Sequence, residues 1–549
     1  MMKKTALTIL MALAAAAAYA QTAAYAQTAY DALLFSENNY EGTARTVAMG
    51  NAFTALGGDL GSVAINPAGS AVAGYSQISL SPTMTFSAST TKGVSPYSDG
   101  TLPYFEKQLR SSITRFSMPN IGTTLNFDTH RTSGLKNVTI GFIVNKSAGW
   151  DEDVYASGTN SSTSFMGAMA YEATIDGLLG ADLGAEDAYD FMPWKPVVGY
   201  QSGMISTFGG YDDQYVGASE VIYDDGEVAV GGPLLQSYGR TVQGGKSDYL
   251  FNIGANISDF VYIGANLGIS SIEYGYDEFF KENAVDPSDF EIVMTDGDKF
   301  YFKDMNYRYS YSALGTGYYG KFGIIITPGG GLRLGAAIQT PVVNRISEEW
   351  QMSGETFYSD SDFNAYAQSP VGSGSYTMVS PFRANFGLAY ALGNLGVISA
   401  DYEMCDYGQM KYKTTNMDRD YFEAVNSEIK ERFGLSHIIR AGAEVKPVSG
   451  LAIRAGYSAA TSAELYDTWG EKLPVSLTQN VSFGLGYSSN KSFFADLAVR
   501  KTILADEYFM PYSDYMFDEE GYVLENAYAP EILNHRSLWK VFPTFGWRF

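Results

Sequence analysis

Segments of about ten residues, in which apolar and polar side chains alternate, recur along most of this chain and constrain its fold more than any other feature. In 249–257, Tyr249, Phe251 and Ile253 fall on one face of an extended strand, whereas Asn252 falls on the other. A second segment follows a two-residue turn and keeps the same alternation. This length and period are typical of transmembrane β-strands, which meet lipid on one face and the lumen on the other.

About fourteen such segments can be counted, a number within the even-numbered range of bacterial barrels. A soluble sandwich could contain one such hairpin, but the pattern recurs along the chain. We therefore predict an all-β fold, a transmembrane antiparallel β-barrel of about fourteen strands over 76–549. The predicted strands are 77–86, 121–128, 138–146, 249–257, 261–270, 318–327, 332–340, 382–390, 395–403, 439–445, 451–457, 479–487, 492–500 and 539–549.

Short and long connections alternate between the predicted strands, and this asymmetry predicts the orientation. Bacterial barrels place short turns in the periplasm and long loops outside the cell. The largest insert, about 147–248, should therefore be extracellular; it is rich in Asp, Glu, Gly and Tyr. In the loop 421–433, apolar residues fall on one helical face, which predicts a short helix.

The N-terminus has the pattern of a secretory signal peptide over 1–20. Lys3 and Lys4 precede an apolar stretch that ends in small residues, so cleavage would follow Ala20 or Ala26, and we favour Ala20. No later run reaches the roughly 18 apolar residues of a membrane-spanning helix. We therefore expect an exported protein without a helical anchor.

Composition excludes several classes of protein. The 549 residues carry 60 acidic against 36 basic side chains, a formal charge of −24, so a nucleic-acid partner is not expected. One cysteine cannot form an intrachain disulfide, and three scattered histidines do not suggest a zinc site. We predict no metal, no cofactor and no enzymatic activity. Only 17% of residues are charged, whereas 14% are aromatic, which points towards a membrane interface.

The block 21–75 lacks the period of the barrel strands and carries the most specific motifs. Small residues dominate it, in the segments Gly42 to Arg45 and Met49 to Ala52 and in the tripeptide Asn66, Pro67, Ala68. In these segments the chain resembles the outer-membrane long-chain fatty-acid and aromatic-hydrocarbon transporter family (FadL and TodX type). The N-terminal hatch of that family ends in an Asn-Pro-Ala motif, and its barrel has fourteen strands.

The resemblance implies a barrel plugged by a small helical hatch that passively transports hydrophobic molecules across the outer membrane of a Gram-negative bacterium. Substrate would be captured outside, enter the lumen and leave through a gap in the wall into the membrane. Asn66 to Ala68 would anchor the hatch, although an ordinary Asn-Pro turn explains the tripeptide alone about equally well. The insert 147–248 is unusually long for the family. The predicted hatch and gating residues are Gly42, Arg45, Gly50, Asn66, Pro67 and Ala68.

Several predicted inward positions are charged, as a wet lumen permits. Four arginines are candidates to receive a substrate carboxylate: Arg333, Arg383, Arg440 and Arg454. Cross-strand pairing with neighbouring acids is the favoured alternative, at roughly four to one. Those acids include Asp401, Glu403, Glu444 and Asp496.

The final strand alternates to its last residue, with Phe545, Trp547 and Phe549 on one face. It resembles the signal by which outer-membrane barrels are recognised for assembly, so we expect the barrel-assembly machinery as a partner. Outer-membrane lipid, lipopolysaccharide and a hydrophobic small molecule are the other expected partners, and we expect a monomer.

Other functions of such a barrel remain open at this point. A general porin or a surface adhesin could use the same wall, but a porin would have no reason to fill its lumen with a hatch. Ser436 and His437 lie near the predicted outer rim without a nucleophile motif or an orienting partner, so hydrolysis is disfavoured.

Overall fold

The computed structural model describes residues 28–95, 104–223, 227–293, 297–414, 419–467, 470–489, 492–518, 521–524 and 527–549. The predicted signal peptide lies outside these residues. Among the described residues, no helix is both long enough and apolar enough to cross a membrane.

Four short helices form the N-terminal part, which lies inside the barrel: α1 (Ala29–Ser36), α2 (Ala44–Ala48), α3 (Ser62–Ile65) and α4 (Gly69–Val72). Thr28 and Asp31 form a capping box at the start of α1, and Thr43 caps α2. Gly50 and Gly74 take positive φ angles directly after the C-caps of α2 and α4 and so end these two helices. Nearly every residue between Tyr40 and Ala71 is buried, although few are large. We call 28–75 the hatch.

Fourteen strands, all antiparallel, close the wall among the described residues, as predicted. The wall closes where its first strand pairs with its last, from Gln77↔Arg548 to Gly93↔Ile532. Three wall strands consist of two pieces. In wall order the strands are β1 (Gln77–Gly93), β2 (Leu109–Asp128), β3 (Leu135–Gly149) with β4 (Glu152–Asn160), β9 (Leu234–Ile257), β10 (Val261–Ala284), β12 (Lys299–Gly329), β13 (Leu332–Gln339) with β14 (Val343–Tyr358), β16 (Gly372–Val379) with β17 (Arg383–Ala391), β18 (Gly396–Asp406), β20 (Leu435–Val448), β21 (Leu451–Thr461), β22 (Leu477–Ser488), β23 (Phe493–Ile503) and β25 (Ile532–Arg548).

Side chains of the wall alternate between an apolar outer face and a polar inner face, as the sequence pattern predicted. Phe116, Leu314 and Phe483 point outwards and are more than 60% exposed, whereas Asn252 on the inner face is 3% exposed. An apolar exterior around a polar interior is the arrangement of a barrel in a bilayer, because every backbone group is paired within the wall and lipid meets only apolar side chains. The protein is therefore a transmembrane β-barrel.

Several strands continue above the membrane, and the largest insert is correspondingly smaller than predicted. Residues Glu152–Asn160 pair with Leu234–Val242 of β9, so the region from 147 to 248 is not all loop. The insert between these strands is 161–233. The alternation was missed there because β4 and the top of β9 bury small and polar residues, such as Ala156 and Gln236.

This insert folds into a cap with its own apolar core, formed with the strand tops and with the loop 504–531. Phe165 stacks on Phe280 of β10, and Tyr512 from the loop packs edge-on against both rings. The elements of the cap are α5 (Phe165–Ile175), α6 (Gly180–Leu183), α7 (Trp194–Gln201), β5 (Ile205–Thr207), β6 (Tyr215–Gly217), β7 (Glu220–Ile222) and β8 (Val228–Val230). Short strands border the other outer loops: β11 (Glu291–Val293), β15 (Ala365–Gln368), β19 (Lys411–Tyr412) and β24 (Glu507–Phe509).

The predicted loop helix is confirmed as α8 (Arg419–Arg432). Phe422, Val425 and Ile429 form its buried face. That face packs at the top of the lumen, where Phe422 stacks on Tyr412 at 5.2 Å between ring centroids. Tyr412 in turn donates a hydrogen bond to the carbonyl of Thr28, which joins the outer loops to the start of the hatch.

Candidate functional site

Asn66 joins two parts of the hatch to the wall. Its Nδ2 donates to the carbonyls of Thr54 at 2.6 Å and of Ile324 on β12 at 3.2 Å, while its Oδ1 accepts from the Ala68 amide at 3.0 Å. The side chain is fully buried. Gly323 makes this approach possible, because a Cβ at Gly323 would lie 1.8 Å from Asn66 Oδ1.

The other predicted hatch residues also lie at tight contacts. Pro67 faces Gly264 of β10, where a Cβ would lie 2.4 Å from the Pro67 backbone. Gly50, with φ +62°, lies against the Tyr457 backbone, and a Cβ there would meet it at 2.7 Å. At Gly42 a Cβ would lie 2.4 Å from Thr46 Oγ1. Small residues in this block thus permit close packing, at Gly50 against the wall and at Gly42 within the hatch. Their gating role stays a prediction.

Three of the four candidate carboxylate-binding arginines are in ion pairs with lumen acids. Arg383 and Arg440 both contact Glu403, at 2.9 and 2.7 Å. Arg454 contacts Glu444 at 2.7 Å and Asp496 at 2.5 Å. These are the cross-strand pairs of the favoured alternative. Each pair is buried, so the negative charges of the acids balance the positive charges of the arginines there.

The hatch takes part in the same charge network. Arg45 of α2 donates from Nε to Glu444 Oε2 at 2.9 Å, beside Arg454. Arg383 also donates to the Ser36 carbonyl at 2.6 Å, and Arg333 to the Leu56 carbonyl at 2.9 Å. Charged wall residues therefore hold the hatch at its upper end, at α2 and near its base.

One buried cluster in this network escaped sequence analysis. Glu41 of the hatch contacts Lys540 on β25 and lies 3.7 Å from Arg500 on β23. Arg500 donates to the Tyr40 carbonyl at 3.1 Å. The pattern shows Arg500 and Lys540 as inward residues, but it gives no sign that an acid of the hatch lies between them.

Main-chain pairing in the wall is interrupted between β2 and β3. The two strands pair from Asp128↔Asn137 to Asn120↔Asn145 and no further. Above that point, Leu109–Pro119 of β2 pairs with β1 alone. Pro119 stands where the pairing ends, and it has no N–H to donate. We call Leu109–Pro119 the unpaired edge.

The strand that should continue the wall there bends towards the lumen and pairs with the hatch instead. The amides of Asn39 and Glu41 donate to the carbonyls of Ser147 at 2.6 Å and Lys146 at 2.9 Å. Farther up, side chains alone reach across from β2. Arg115 donates to Gln243 at 2.8 Å, and Ser111 to the Asp153 carbonyl at 2.6 Å.

An aromatic cluster lies on the lumen side of this interruption. Trp150 follows the last residue of β3, and its ring is 6.0 Å from Phe35 of α1 and 5.6 Å from Tyr274 of β10. Phe35 and Tyr274 are 5.9 Å apart, so the three rings form one surface. Trp150 and Tyr274 are only partly buried. We call Phe35, Trp150 and Tyr274 the aromatic triad.

Two interruptions in the sequence pattern mark this part of the site. Pro119 interrupts the alternation of β2, and Trp150 with Asp151 interrupts that of β3. A proline inside a wall strand marks a place where pairing on one side is lost. Which neighbour loses its partner depends on strand register, and single-sequence periodicity does not fix register.

Ser436 and His437, considered for hydrolysis, have different surroundings. Ser436 is buried on the inner face and donates to the Thr461 carbonyl at 2.7 Å. His437 is exposed on the outer face, with Nδ1 2.8 Å from the Tyr402 hydroxyl. Adjacent strand residues point to opposite faces, so the two side chains do not meet.

The C-terminal residues lie on the outer face of the closing strand. Phe545, Trp547 and Phe549 are exposed to the extent expected of lipid-facing side chains, and β25 pairs with both β23 and β1. Their role in assembly stays a prediction.

No protein-family model matches the chain, and no curated protein sequence matches it. Among solved structures, it is similar to a FadL homologue from Pseudomonas aeruginosa, with 9% identity and a TM-score of 0.49 over 93% of this chain and 98% of the other. The toluene transporter TodX of Pseudomonas putida has 12% identity and a TM-score of 0.47 over 93% and 99%. The toluene transporter TbuX of Ralstonia pickettii has 10% identity and a TM-score of 0.44 over 93% and 98%. At this identity the likeness concerns architecture.

Proposed function

We propose that the protein passively transports hydrophobic molecules, long-chain fatty acids or similar apolar compounds, from the cell exterior into the outer membrane. The observation that carries the proposal is the unpaired edge of β2 beside the aromatic triad, in a barrel whose periplasmic half is filled by the hatch. A molecule in the upper lumen would have an apolar surface to bind and an interruption of the wall to leave by.

The height of the unpaired edge suits this route. Asn120 is eight residues from the periplasmic end of β2, which corresponds to roughly 20 Å along the membrane normal for a tilted strand. The unpaired edge therefore begins in the outer half of the apolar band, which is about 25 Å tall in such barrels, and continues above it. An apolar substrate would stay out of bulk water, which lowers its free energy by about 0.8 kcal/mol per CH₂ group.

A general porin is the main alternative, and the hatch argues against it. Arg45, Asn66 and Glu41 fix the hatch to several wall strands, so no open aqueous channel is expected without hatch movement. Labelled fatty acid and a small sugar, offered to cells that lack their own fatty-acid transporter, separate the two functions. We expect fatty-acid uptake to rise without sugar entry; sugar entry alone would identify a porin.

A surface adhesin is the second alternative, since the cap is large and folded. An adhesin would need no transport through the wall. If neither fatty acid nor sugar enters in the uptake assay, and cells that carry the protein bind host or neighbouring cell surfaces, the adhesin would replace the transporter as the preferred function.

Arg115→Trp tests the route through the wall. Arg115 lies on the lumen side of the unpaired edge and reaches towards Gln243 and Asp151. A Trp there should fill the interruption and lower fatty-acid uptake several-fold. Phe116→Trp is the matched control, because Phe116 is the next residue and faces lipid with 66% exposure. Equal uptake by the two folded variants would contradict exit at this place.

A further inference from the structure

A cavity lies beneath the hatch at the periplasmic end of the barrel. It has a volume of about 530 Å³, within the usual range of small-molecule sites. Hatch residues Gly58 and Asp59 line its upper side, and residues of the short turns, Gly393, Ser449 and Ser489, line its mouth. The unpaired edge is not part of it, so the proposed exit route does not use this cavity.

The acids that line the cavity are already engaged. Glu444 accepts from Arg45 and Arg454, and Asp496 accepts from Arg454. Asp59 accepts from Thr43 Oγ1 at 2.6 Å and from the Gly61 amide at 2.9 Å. Their capacity to accept is thus largely used within the protein.

Three cations of the lining retain free donors. A guanidinium has five N–H groups. Arg333 donates to the Leu56 carbonyl, and Arg548 donates to Ser488 Oγ at 3.2 Å. Among the described residues neither forms an ion pair, and Arg548 Nε is buried without a hydrogen-bond partner. Lys446 lies 3.7 Å from Glu444 with half of its side chain exposed.

Apolar surface lies directly beside these cations. The Arg548 guanidinium lies over the rings of Phe494 at 4.7 Å and Tyr75 at 5.3 Å. Leu56 and Val72 of the hatch border the same cavity. A ligand that fits this lining has one anionic group for the free guanidinium donors and an apolar body for the rings and aliphatic side chains.

We propose that this periplasmic cavity is a binding site for a small carboxylate with an apolar body, which enters from the periplasm and pairs with one of the two guanidinium groups that retain free donors, Arg333 or Arg548. The site goes beyond the proposed transport function, because it lies on the opposite side of the hatch from the unpaired edge. A ligand there would contact the residues that hold Arg45 of the hatch.

Binding of phenylbutyrate to the purified full-length protein in detergent tests the proposal, with phenylbutanol as the uncharged analogue. We expect saturable binding of phenylbutyrate and at least tenfold weaker binding of phenylbutanol, since a charge-assisted hydrogen bond contributes about 1.5–3 kcal/mol. Equal binding of the two compounds, or no saturable binding of phenylbutyrate, would overturn the proposal. Equal displacement by inorganic phosphate would also overturn it, because the site would then be a general anion site.

Variants assign the binding to the cavity. Arg333→Gln combined with Arg548→Gln should weaken phenylbutyrate binding at least tenfold. Arg131→Gln is the control, because Arg131 is exposed in a periplasmic turn outside the cavity. Lys446→Gln, at an exposed side chain, supplies a second variant in case the double variant fails to assemble, and we expect a threefold or larger loss. Unchanged binding in every folded variant would place the ligand elsewhere, for example at the aromatic triad.

Discussion

At the scale of single residues, Asn66 shows how one side chain seats the hatch. Its amide bonds to the hatch loop at Thr54 and to the wall at Ile324, and it has no contact with solvent. Backbone carbonyls buried at such a place need a donor, and a lost donor costs about 1–3 kcal/mol. Asn66 links the hatch to the wall through its side chain, whereas strand pairing in the wall is made by backbone groups.

We therefore expect Asn66→Ala to alter transport without abolishing assembly of the barrel. Loosening of the hatch should raise entry of small polar solutes, measured as sugar uptake, while the protein keeps its heat-modifiable migration on gels. Asn480→Ala is the matched control, because Asn480 is a buried lumen asparagine that bonds only to neighbouring wall residues, Ser458 and Thr502. Loss of the folded barrel in Asn66→Ala alone would contradict a role confined to the hatch.

The charged residues show what could be predicted at this scale and what could not. Alternation identified Arg383, Arg440 and Arg454 as inward, and cross-strand pairing was the favoured explanation. The individual partners do not follow from strand register alone, because Arg440 stands opposite Asp401 in the pairing, yet its side chain reaches Glu403. Hatch partners such as Glu41 could not be predicted, because they depend on how the hatch sits inside the closed barrel.

At the scale of secondary-structure elements, β2 is divided into two halves with different surroundings. Leu125 and its neighbours lie in the half that is paired on both sides, whereas the unpaired edge has β1 alone. Backbone groups without a partner strand are free to exchange with solvent or to bind another chain.

Hydrogen exchange should reveal this division. We expect every second amide in Leu109–Pro119, those that point away from β1, to exchange at least tenfold faster than amides in 121–128. Residues of β22 serve as the reference, because they pair with β21 and β23 along the strand. Mass spectrometry of the protein in detergent gives the rates peptide by peptide. Uniform protection along β2 would contradict an open edge.

The cap contains an element whose stability should depend on pH. Glu220 is buried against α5, where it accepts from the Gly217 amide at 2.8 Å, and burial raises its pKa to about 7. The folded cap thus binds this proton more tightly than the unfolded chain does. The resulting stability is fully present below about pH 4.5 and is lost as pH rises through about 7, by up to about 3 kcal/mol.

Limited proteolysis of the cap at pH 5.5 and pH 8 measures this effect. We expect faster cleavage within 161–233 at pH 8. Glu220→Gln, which is neutral at both values, should remove about half of the difference, because burial likewise raises the pKa of Glu282 to about 7. Glu282, which accepts from the Phe165 amide at the start of α5, stays in place in both proteins. An unchanged pH dependence in Glu220→Gln would show that another group is responsible.

At the scale of the whole molecule, the fourteen-stranded barrel was predicted from alternation and from the spacing of turns. Side chains on the outer face of the wall contact lipid, so their apolar pattern can be recognised in the sequence without knowledge of which strands pair. The cap was not predicted as a folded unit, because its helices pack against strand tops that are distant in sequence, as Phe165 does against Phe280 and Tyr512. The unpaired edge was not predicted either, because it depends on where β2 and β3 stop pairing, and alternation within one strand does not show this.

The hatch contacts both ends of the wall, and this has a consequence for the order of assembly. Ser70 bonds to Thr139 on β3, among the first strands made, whereas the Ala44 amide bonds to Thr544 on β25, the last. The complete set of hatch contacts therefore exists only once the first and last strands have met. Docking of the hatch therefore adds to the direct pairing of β1 with β25, and a sheet that rolled up around an empty centre would lack the hatch contacts that tie its first strands to its last.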